Sequence, residues 1–212
     1  MSDKIRLVYL DEEESWQSQV HAALNANFNL HIPEPEQLPR NIEELWDSLK
    51  DFDAQAILID YRLNESGLVS YTGDDVIREF HKHNKHLPMF IITSYEDNAL
   101  IECKEAQIIR DKELITHADK LIKLQNIIVA GVNNYNKRKE SAEKIIYSLQ
   151  NKLKYNEILS QDEENMKFEA ELYLSELDLD SNVHTNLITN SSNRTLDELL
   201  SMARQIVEIH KK

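Results

Sequence analysis

The sequence predicts an α/β protein whose first part is a doubly wound, five-stranded parallel sheet and whose last part is helical. Apolar runs alternate with helical patterns five times before residue 130. That order is typical of parallel strands with helices on both faces of the sheet. All four prolines lie before residue 90, and neither proline nor glycine occurs after Gly131. Since both residues interrupt helices, the remaining chain is predicted to be helical.

The predicted elements of the first part differ in their apolar spacing. The strands are short β-rich runs at 5–10, 28–32, 54–59, 89–92 and 107–109. The third run, AQAILI, is almost continuously apolar, as expected for a parallel strand buried on both faces. The helices carry apolar residues at helical period and cover 15–26, 42–49, 74–83 and 98–104, and a long helix starts near Glu113.

The helical pattern that starts near Glu113 continues to Leu153, which is more than a helix needs to cover a sheet. One interpretation is a signalling helix that leaves the first domain and pairs with another helix. The other is two or three separate helices, broken near Gly131 or Asn133. Both interpretations remain open on the sequence alone.

We therefore predict two domains, residues 1–130 and a helical extension at 131–212. The extension would contain a long helix or helical hairpin, a polar loop at about 178–194 and a final helix at 195–210. Thr195 and Glu198 form a capping box that starts this last helix. Its apolar stripe must be buried against the preceding helices or against a second copy of the chain, so a homodimer is one expectation.

The composition disfavours several classes of protein, namely nucleic-acid-binding, membrane-spanning and secreted proteins. The formal net charge is −14, which disfavours nucleic-acid binding because that binding depends on lysine and arginine contacts to phosphate. No apolar stretch is long enough to span a membrane, and the N-terminus lacks the pattern of a secretory signal. The single cysteine, Cys103, excludes an internal disulfide. These features predict a cytoplasmic protein.

Polar residues with complementary chemistry follow the predicted strands. Asp11 and Glu12 follow the first strand, Asp60 ends the third, Thr93 ends the fourth, and Lys112 lies just beyond the fifth. Parallel sheets place their sites at the carboxyl ends of strands, so these side chains are expected to share one crevice. A carboxylate can attack phosphorus, while a lysine, a hydroxyl and a carboxylate-bound Mg²⁺ can stabilise the phosphoryl oxygens.

Four motifs in this order resemble the receiver domain of two-component response regulators. They are LVYLDEE, ILIDYRL, LPMFIITS and AQIIRDKEL, and the resemblance covers roughly residues 4–130. It implies a flavodoxin-like sheet of strand order 2-1-3-4-5. It also implies that Asp60 is the phospho-acceptor, Thr93 the switch hydroxyl and Lys112 the phosphate-binding lysine. Mg²⁺ would be held by four groups, namely Asp11, Glu12, Asp60 and the main-chain carbonyl of Arg62.

The sequence departs from the receiver pattern at several positions. The second acid is Glu12 rather than aspartate, and Glu13 is an alternative in that register. Glu113 follows Lys112 where the family has a proline after a cis peptide. A non-proline cis bond costs about 2.5–4 kcal/mol, so a trans peptide is expected here. Ile109 occupies the position of the family's aromatic switch residue, and the segment 64–73 after Asp60 is long.

The resemblance implies a histidine kinase or phosphotransfer protein as the phosphoryl donor. We expect no separate enzymatic domain, because the C-terminal half shows no clustered Cys and His, no phosphate loop and no nucleophile with a nearby base. Output is expected through protein–protein interaction or dimerisation of the helical region. The alternative is a pseudo-receiver that acts as a structural adaptor without phosphorylation.

Overall fold

The structure is a computed structural model that describes residues 4–94 and 109–177. The chain divides into two compact units, 1–137 and 138–212. The first unit contains the sheet and the second contains helices. The division lies a little beyond residue 130, inside a long helix.

The strands of the first unit are β1 Ile5–Leu10, β2 Phe28–His31, β3 Ala56–Asp60, β4 Met89–Thr93 and β5 Ile109–Asp111. The α-helices of the described chain are α1 Glu14–Leu24, α2 Glu43–Leu49, α3 Gly73–Phe80, α4 Glu113–Thr116, α5 Ala118–Lys154 and α6 Gln161–Ser175. Two 3₁₀ turns, Pro35–Gln37 and Lys50–Phe52, flank α2.

The five strands form one parallel sheet of order β2-β1-β3-β4-β5. This confirms the predicted fold class and strand order. All five residues of β3 are buried, as its continuous apolar run predicts. The register pairs Leu10 with Ile59, Asp60 with Ile92 and Thr93 with Asp111, which brings the carboxyl ends of the strands to one edge.

Apolar side chains pack on both faces of the sheet. One cluster contains Val8, Ile57 and Ile59 with Phe80 and other residues of α2 and α3. The other contains Leu7 and Leu58 with residues of α1 and α5, among them Val20, Leu24, Leu124 and Ile128. Strand residues contribute alternately to the two clusters, because successive side chains point to opposite faces. The sheet is therefore covered on both faces, and the polar residues lie at the carboxyl ends of its strands.

The long helix α5 runs unbroken from Ala118 to Lys154, so it continues through both positions where a break was considered. A carbon placed as Cβ on Gly131 would lie only 2.9 Å from the Phe90 ring, so this glycine allows the helix to approach the sheet closely. The expected start of the helix near Glu113 is wrong in one respect, because His117 has extended backbone angles and separates α4 from α5. The Thr116 hydroxyl donates to the Glu113 carbonyl, an acceptor that helix continuation would use.

The described part of the second unit is a helical hairpin. The distal part of α5 and helix α6 share a small core of Ala142, Ala170 and Tyr173, flanked by Ile145, Ile146, Leu174 and Leu177. Ser160 and Glu163 form a capping box at the start of α6, and Lys152 pairs with Glu163 at 2.5 Å. The Arg138 guanidinium lies 4.6 Å from the Tyr173 ring centroid.

Several predicted features lie outside the described residues. They are the helix at 98–104, the loop at 178–194, the final helix at 195–210, Cys103 and the first two residues of the strand at 107–109. The structure places β5 at Ile109–Asp111, so that strand extends further toward Lys112 than its apolar run indicated. The reason is that its pairing with β4 continues to Asp111 despite the polar side chains. No helix in the described ranges is both long and apolar enough to cross a membrane.

Candidate functional site

The residues predicted to form a site converge at the carboxyl edge of the sheet. Asp11 directly follows β1, Asp60 is the last residue of β3, Thr93 is the last of β4, and Lys112 directly follows β5. All four are buried. Buried polar side chains are costly to retain unless they are paired, so their grouping at one edge marks this region as the candidate site.

Lys112 links the two aspartates. Its Nζ lies 2.8 Å from Asp60 Oδ1 and 2.9 Å from Asp11 Oδ2. The three side chains are at most 7% exposed. Two carboxylates therefore share one ammonium in a site with little access to water. Such a group has a formal charge of −1 when all three side chains are ionised, and that charge is available for a further cation.

Burial has the largest effect on the pKa values of Asp60 and Lys112, and the charges of their partners have the next largest. Burial raises the pKa of Asp60 from 3.8 to about 6, with Asp11 adding to the rise and the Lys112 ammonium opposing it. Burial alone would lower the pKa of Lys112, but Asp60 and Asp11 outweigh it and keep the pKa above its ordinary value. Lys112 is thus an ammonium at neutral pH, whereas Asp60 changes its charge near pH 6.

The second oxygen of Asp60 is oriented by the chain that follows it. The Arg62 amide donates to Asp60 Oδ2 at 2.8 Å. Helix α3 then starts close behind, because the Gly73 amide donates to the Tyr61 carbonyl. A Cβ on Gly73 would lie 2.6 Å from the Asp60 carbonyl oxygen, so only glycine fits this start. Asp60 is therefore fixed both through its side chain and through its backbone.

Asp11 is held by three donors. The Tyr9 hydroxyl and the Lys112 ammonium donate to Oδ2, and the Glu13 amide donates to Oδ1 at 2.9 Å. Tyr9 is completely buried, and burial together with Asp11 raises the pKa of its hydroxyl well above 10. The hydroxyl is therefore a permanent proton donor to Asp11. Sequence reasoning missed Tyr9, because an aromatic residue inside an apolar strand is normally a core residue.

Glu12 and Glu13 differ in their surroundings. Glu12 is half-buried, and its Oε2 accepts from the Ser66 amide at 2.6 Å, in the segment that follows Asp60. Glu13 is exposed and precedes the first turn of α1. The Arg62 carbonyl accepts from the Glu65 amide at 3.2 Å. Of these two acids, Glu12 is thus the one that accepts a hydrogen bond from the segment after Asp60.

The segment after Asp60 is anchored to the core at three points. Leu63, Val69 and Tyr71 are buried in the cluster that contains β3, and the Tyr71 hydroxyl donates to the Pro39 carbonyl at 2.9 Å. The exposed residues of this segment are those between Leu63 and Val69 together with Ser70. The segment after Asp60 is therefore packed against the core, and the Ser66 amide connects it to Glu12 by a hydrogen bond.

Trp16 covers the ammonium from the side of α1. Lys112 Nζ lies 4.9 Å from the centroid of the Trp16 ring, within the range of a cation–π contact. Sequence reasoning assigned Trp16 only to the apolar face of the helix. The available signal was its position on the first turns of the helix that follows the two acids, at the same sheet edge as Lys112.

Three other predicted features concern Thr93, the peptide bond after Lys112, and Ile109. Thr93 is buried, and its carbonyl accepts from the Lys112 amide at 3.0 Å. The described residues contain no cis peptide, which confirms the trans bond expected between Lys112 and Glu113. Ile109 is described only through its backbone.

The oxygen-rich donor set fits a hard divalent cation such as Mg²⁺ in chemistry and charge. Asp60 belongs to the negatively charged group, Glu12 is next to Asp11 in the chain, Arg62 follows Asp60 by two residues, and the Glu12 carboxylate and the Arg62 carbonyl offer further oxygens. Across residues 4–94 and 109–177, no three His, Cys, Asp or Glu side chains approach closely enough to form a preformed metal cluster.

No protein-family model and no curated protein matches this chain. Among solved structures, a fusion carrying the trimeric coiled coil of yeast Spc42 is 17% identical, with a TM-score of 0.47, and covers 72% of this chain and 99% of its own. Two structures of the Salmonella typhimurium RcsB response regulator are 14% and 13% identical, with TM-scores of 0.44 and 0.39. Each covers 90% of this chain and 98% of its own. The receiver-like fold is shown by the strand order of the chain itself.

Proposed function

We propose that this chain is a phosphorelay receiver that accepts a phosphoryl group on Asp60. The observation that carries the proposal is the buried ammonium of Lys112, paired with both Asp60 and Asp11 at the carboxyl edge of the sheet. A nucleophilic carboxylate needs a nearby cation to balance the charge of the incoming phosphoryl group. Thr93, at the end of the neighbouring strand, is the proposed hydroxyl partner of that group.

The reaction is a transfer from a phosphohistidine of a histidine kinase or phosphotransfer protein. A carboxylate oxygen of Asp60 attacks phosphorus and forms a P–O bond while the P–N bond to the imidazole breaks. The bonding electron pair returns to the imidazole nitrogen. The product is an acyl phosphate, and no oxidant or reductant is needed. Lys112 and the Arg62 amide orient Asp60 before the transfer, since they already bind its two oxygens.

Mg²⁺ is the proposed cofactor, held by residues among Asp11, Glu12, Asp60 and the Arg62 carbonyl. When bound, it would neutralise phosphoryl oxygens during transfer. The group around Lys112 has an excess of negative charge, which supports binding of a cation. Because Glu12 is only half-buried, it is the acid best placed to share a hydrated ion with Asp60.

The proposed output is protein–protein interaction or dimerisation through the helical region, without DNA binding and without a separate enzymatic domain. A net charge of −14 and a helical hairpin with exposed Tyr147, Tyr155 and Ile158 support a protein partner over a polyanion. We also propose a cytoplasmic location, in keeping with the single cysteine.

The test is incubation of the full chain with acetyl phosphate and MgCl₂, followed by intact-mass measurement. Wild type and Asp51→Asn, a matched change of an exposed acid, should each gain one phosphoryl group. Asp60→Asn should gain none, and omission of Mg²⁺ should suppress the reaction. Absence of the adduct on wild type would reject the proposal.

A pseudo-receiver remains the second candidate, and one specific observation favours it. Lys112 already neutralises part of the buried negative charge, so the fold holds together around Asp60 with the chain's own side chains. Such a protein would bind its partner equally well as wild type, as Asp60→Asn, and with or without Mg²⁺. A partner whose affinity changes with any of these would exclude it.

A further inference from the structure

Helix α6 is buried over more of its circumference than one neighbouring helix covers. Successive residues of a helix are about 100° apart, because about 3.6 residues complete one turn. On that spacing, the buried residues Tyr173, Ala170, Glu171 and Ser175 span an arc of about 200°. A helix normally packs on a neighbour through a stripe of about 100° or slightly more. A second element, in addition to α5, is therefore needed to cover α6.

The part of α6 that needs this second element is the face with Phe168, Glu171, Leu172 and Ser175. Their spacing of three and four residues places them together on one face of the helix. The α6 residues in the apolar core shared with α5 lie elsewhere on the helix. Phe168 and Leu172 are 47% and 41% exposed, whereas Glu171 and Ser175 are buried. These four residues form what we call the α6 flank.

Glu171 has a hydrogen-bond acceptor that the described chain does not use. Lys167 Nζ lies 2.6 Å from Glu171 Oε1, and the Glu171 side chain is only 5% exposed. Within residues 4–94 and 109–177, no donor lies at hydrogen-bond distance from the buried Oε2. A buried acceptor without a donor lowers stability. The complement of the α6 flank is therefore an apolar surface that also offers one donor.

The chain beyond Leu177 contains a segment with both properties. Residues 195–207 have one basic side chain, Arg204, which directly follows an apolar position of the segment. The polar residues 178–194 precede it, and an extended chain covers about 3.3 Å per residue against about 1.5 Å for a helix. That linker can therefore span the whole length of α6 in either direction. The apolar positions at helical period are Leu196, Leu199, Leu200, Ala203 and Val207.

We propose that residues 195–207 form a third helix of the second unit, which packs its apolar stripe on the α6 flank of the same chain and places Arg204 beside Glu171 Oε2. A short tether gives a segment an effective concentration of about millimolar, which favours the same chain over a second copy. The contact does not depend on phosphorylation of Asp60. It assigns the α6 flank to an internal contact, so a partner that binds Phe168 or Leu172 must first displace this segment.

The first test is photo-cross-linking of the full chain with p-benzoylphenylalanine in place of Phe168. Trypsin releases residues 195–204 as one peptide, because it cleaves after Arg194 and Arg204. We expect the cross-link to join position 168 to this peptide. The matched control carries the same group in place of Ile158, which is 95% exposed in the same unit, and should not form this cross-link.

An equimolar mixture of ¹⁴N and ¹⁵N chains shows whether the two peptides come from one molecule. We expect cross-linked pairs of a single isotope only. Pairs of mixed isotope would assign the α6 flank to a second copy and overturn the inference. A cross-link from position 168 to any other peptide, or equal cross-linking from position 158, would also overturn it.

The second test examines the predicted pair of Arg204 and Glu171 through hydrogen–deuterium exchange of the α6 peptides. Arg204→Gln should speed exchange by about tenfold, the usual size of effect for a hydrogen bond to a charged group. Arg194→Gln, which removes an equal charge before the segment, should leave exchange unchanged. In a Glu171→Ala background, Arg204→Gln should have no further effect. Equal effects of the two arginine variants, or the same tenfold change in both backgrounds, would reject the pairing.

Discussion

Replacing Asp60 with asparagine should stabilise the folded chain at neutral pH, and the gain should grow as pH rises. Asp60 is buried beside a second carboxylate, and its pKa is raised from 3.8 to about 6. A buried carboxyl with a raised pKa resists ionisation, so its negative charge is costly to the folded state. Asparagine has nearly the same shape and cannot ionise, while Lys112 keeps its partner Asp11.

The sign and the magnitude follow from linkage. Because the folded pKa exceeds the unfolded one, the favourable contribution of Asp60 is fully present below about pH 4 and is lost as pH rises through about 6. The rise from 3.8 to about 6 corresponds to about 3 kcal/mol, since one pKa unit is worth about 1.36 kcal/mol. The free energy of unfolding of Asp60→Asn, taken relative to that of wild type, should therefore increase by about 3 kcal/mol from pH 4 to pH 7.

The assay is urea unfolding of wild type, Asp60→Asn and the exposed-acid control Asp51→Asn at several pH values, without divalent cations. The difference between Asp60→Asn and wild type should increase with pH by the stated amount, and the difference for Asp51→Asn should stay flat. A pH-independent difference for Asp60→Asn would refute the reasoning, because it would mean that Asp60 ionises without cost in the folded protein.

Three further outcomes are expected from the same geometry. Lys112→Met should lower the free energy of unfolding by about 3–5 kcal/mol at pH 7, because it leaves Asp11 and Asp60 as buried charges without their cation, and the loss should shrink toward pH 5 in urea titrations. The rate of phosphorylation by acetyl phosphate should rise with pH as the Asp60 carboxylate forms, and the midpoint of the rise should move below the cation-free pKa of about 6 as the Mg²⁺ concentration increases; a midpoint that does not move with Mg²⁺ would argue against Asp60 as the nucleophile beside the cation. Gly73→Ala should cost about 1–3 kcal/mol in thermal or urea unfolding, because its methyl group meets the Asp60 carbonyl, and an unchanged stability would show that the start of α3 can move.

The sheet and its polar edge were predictable because both leave local signals in the sequence. The apolar run that forms β3 ends at Asp60, and a parallel sheet collects the residues that follow its strands at one edge. The alternation of strand and helix patterns was sufficient for the fold class. Asp11, Thr93 and Lys112 were therefore identified from their place after a strand, without knowledge of any contact.

The residues that support the site were not predictable, because they have the sequence pattern of core residues and their polar contacts leave no signal of their own. Tyr9 has the pattern of a core strand residue, and nothing local shows that its hydroxyl reaches Asp11. Trp16 likewise has the pattern of a helix residue that packs on the sheet, yet its ring lies over Lys112. The separation of α4 from α5 at His117 is accompanied by a side-chain hydrogen bond from Thr116 to the Glu113 carbonyl, which apolar periodicity does not detect.

The central claim is that Asp60 itself forms an acyl phosphate, and the most direct measurement is the chemical identity of the modified residue. Wild type treated with acetyl phosphate and MgCl₂ would be reduced with borohydride, which converts an aspartyl phosphate to homoserine, and then digested for peptide mass spectrometry. We predict homoserine at position 60, and at no other aspartate. Homoserine at another position, or unmodified Asp60 in a protein that gained phosphoryl mass, would contradict the account.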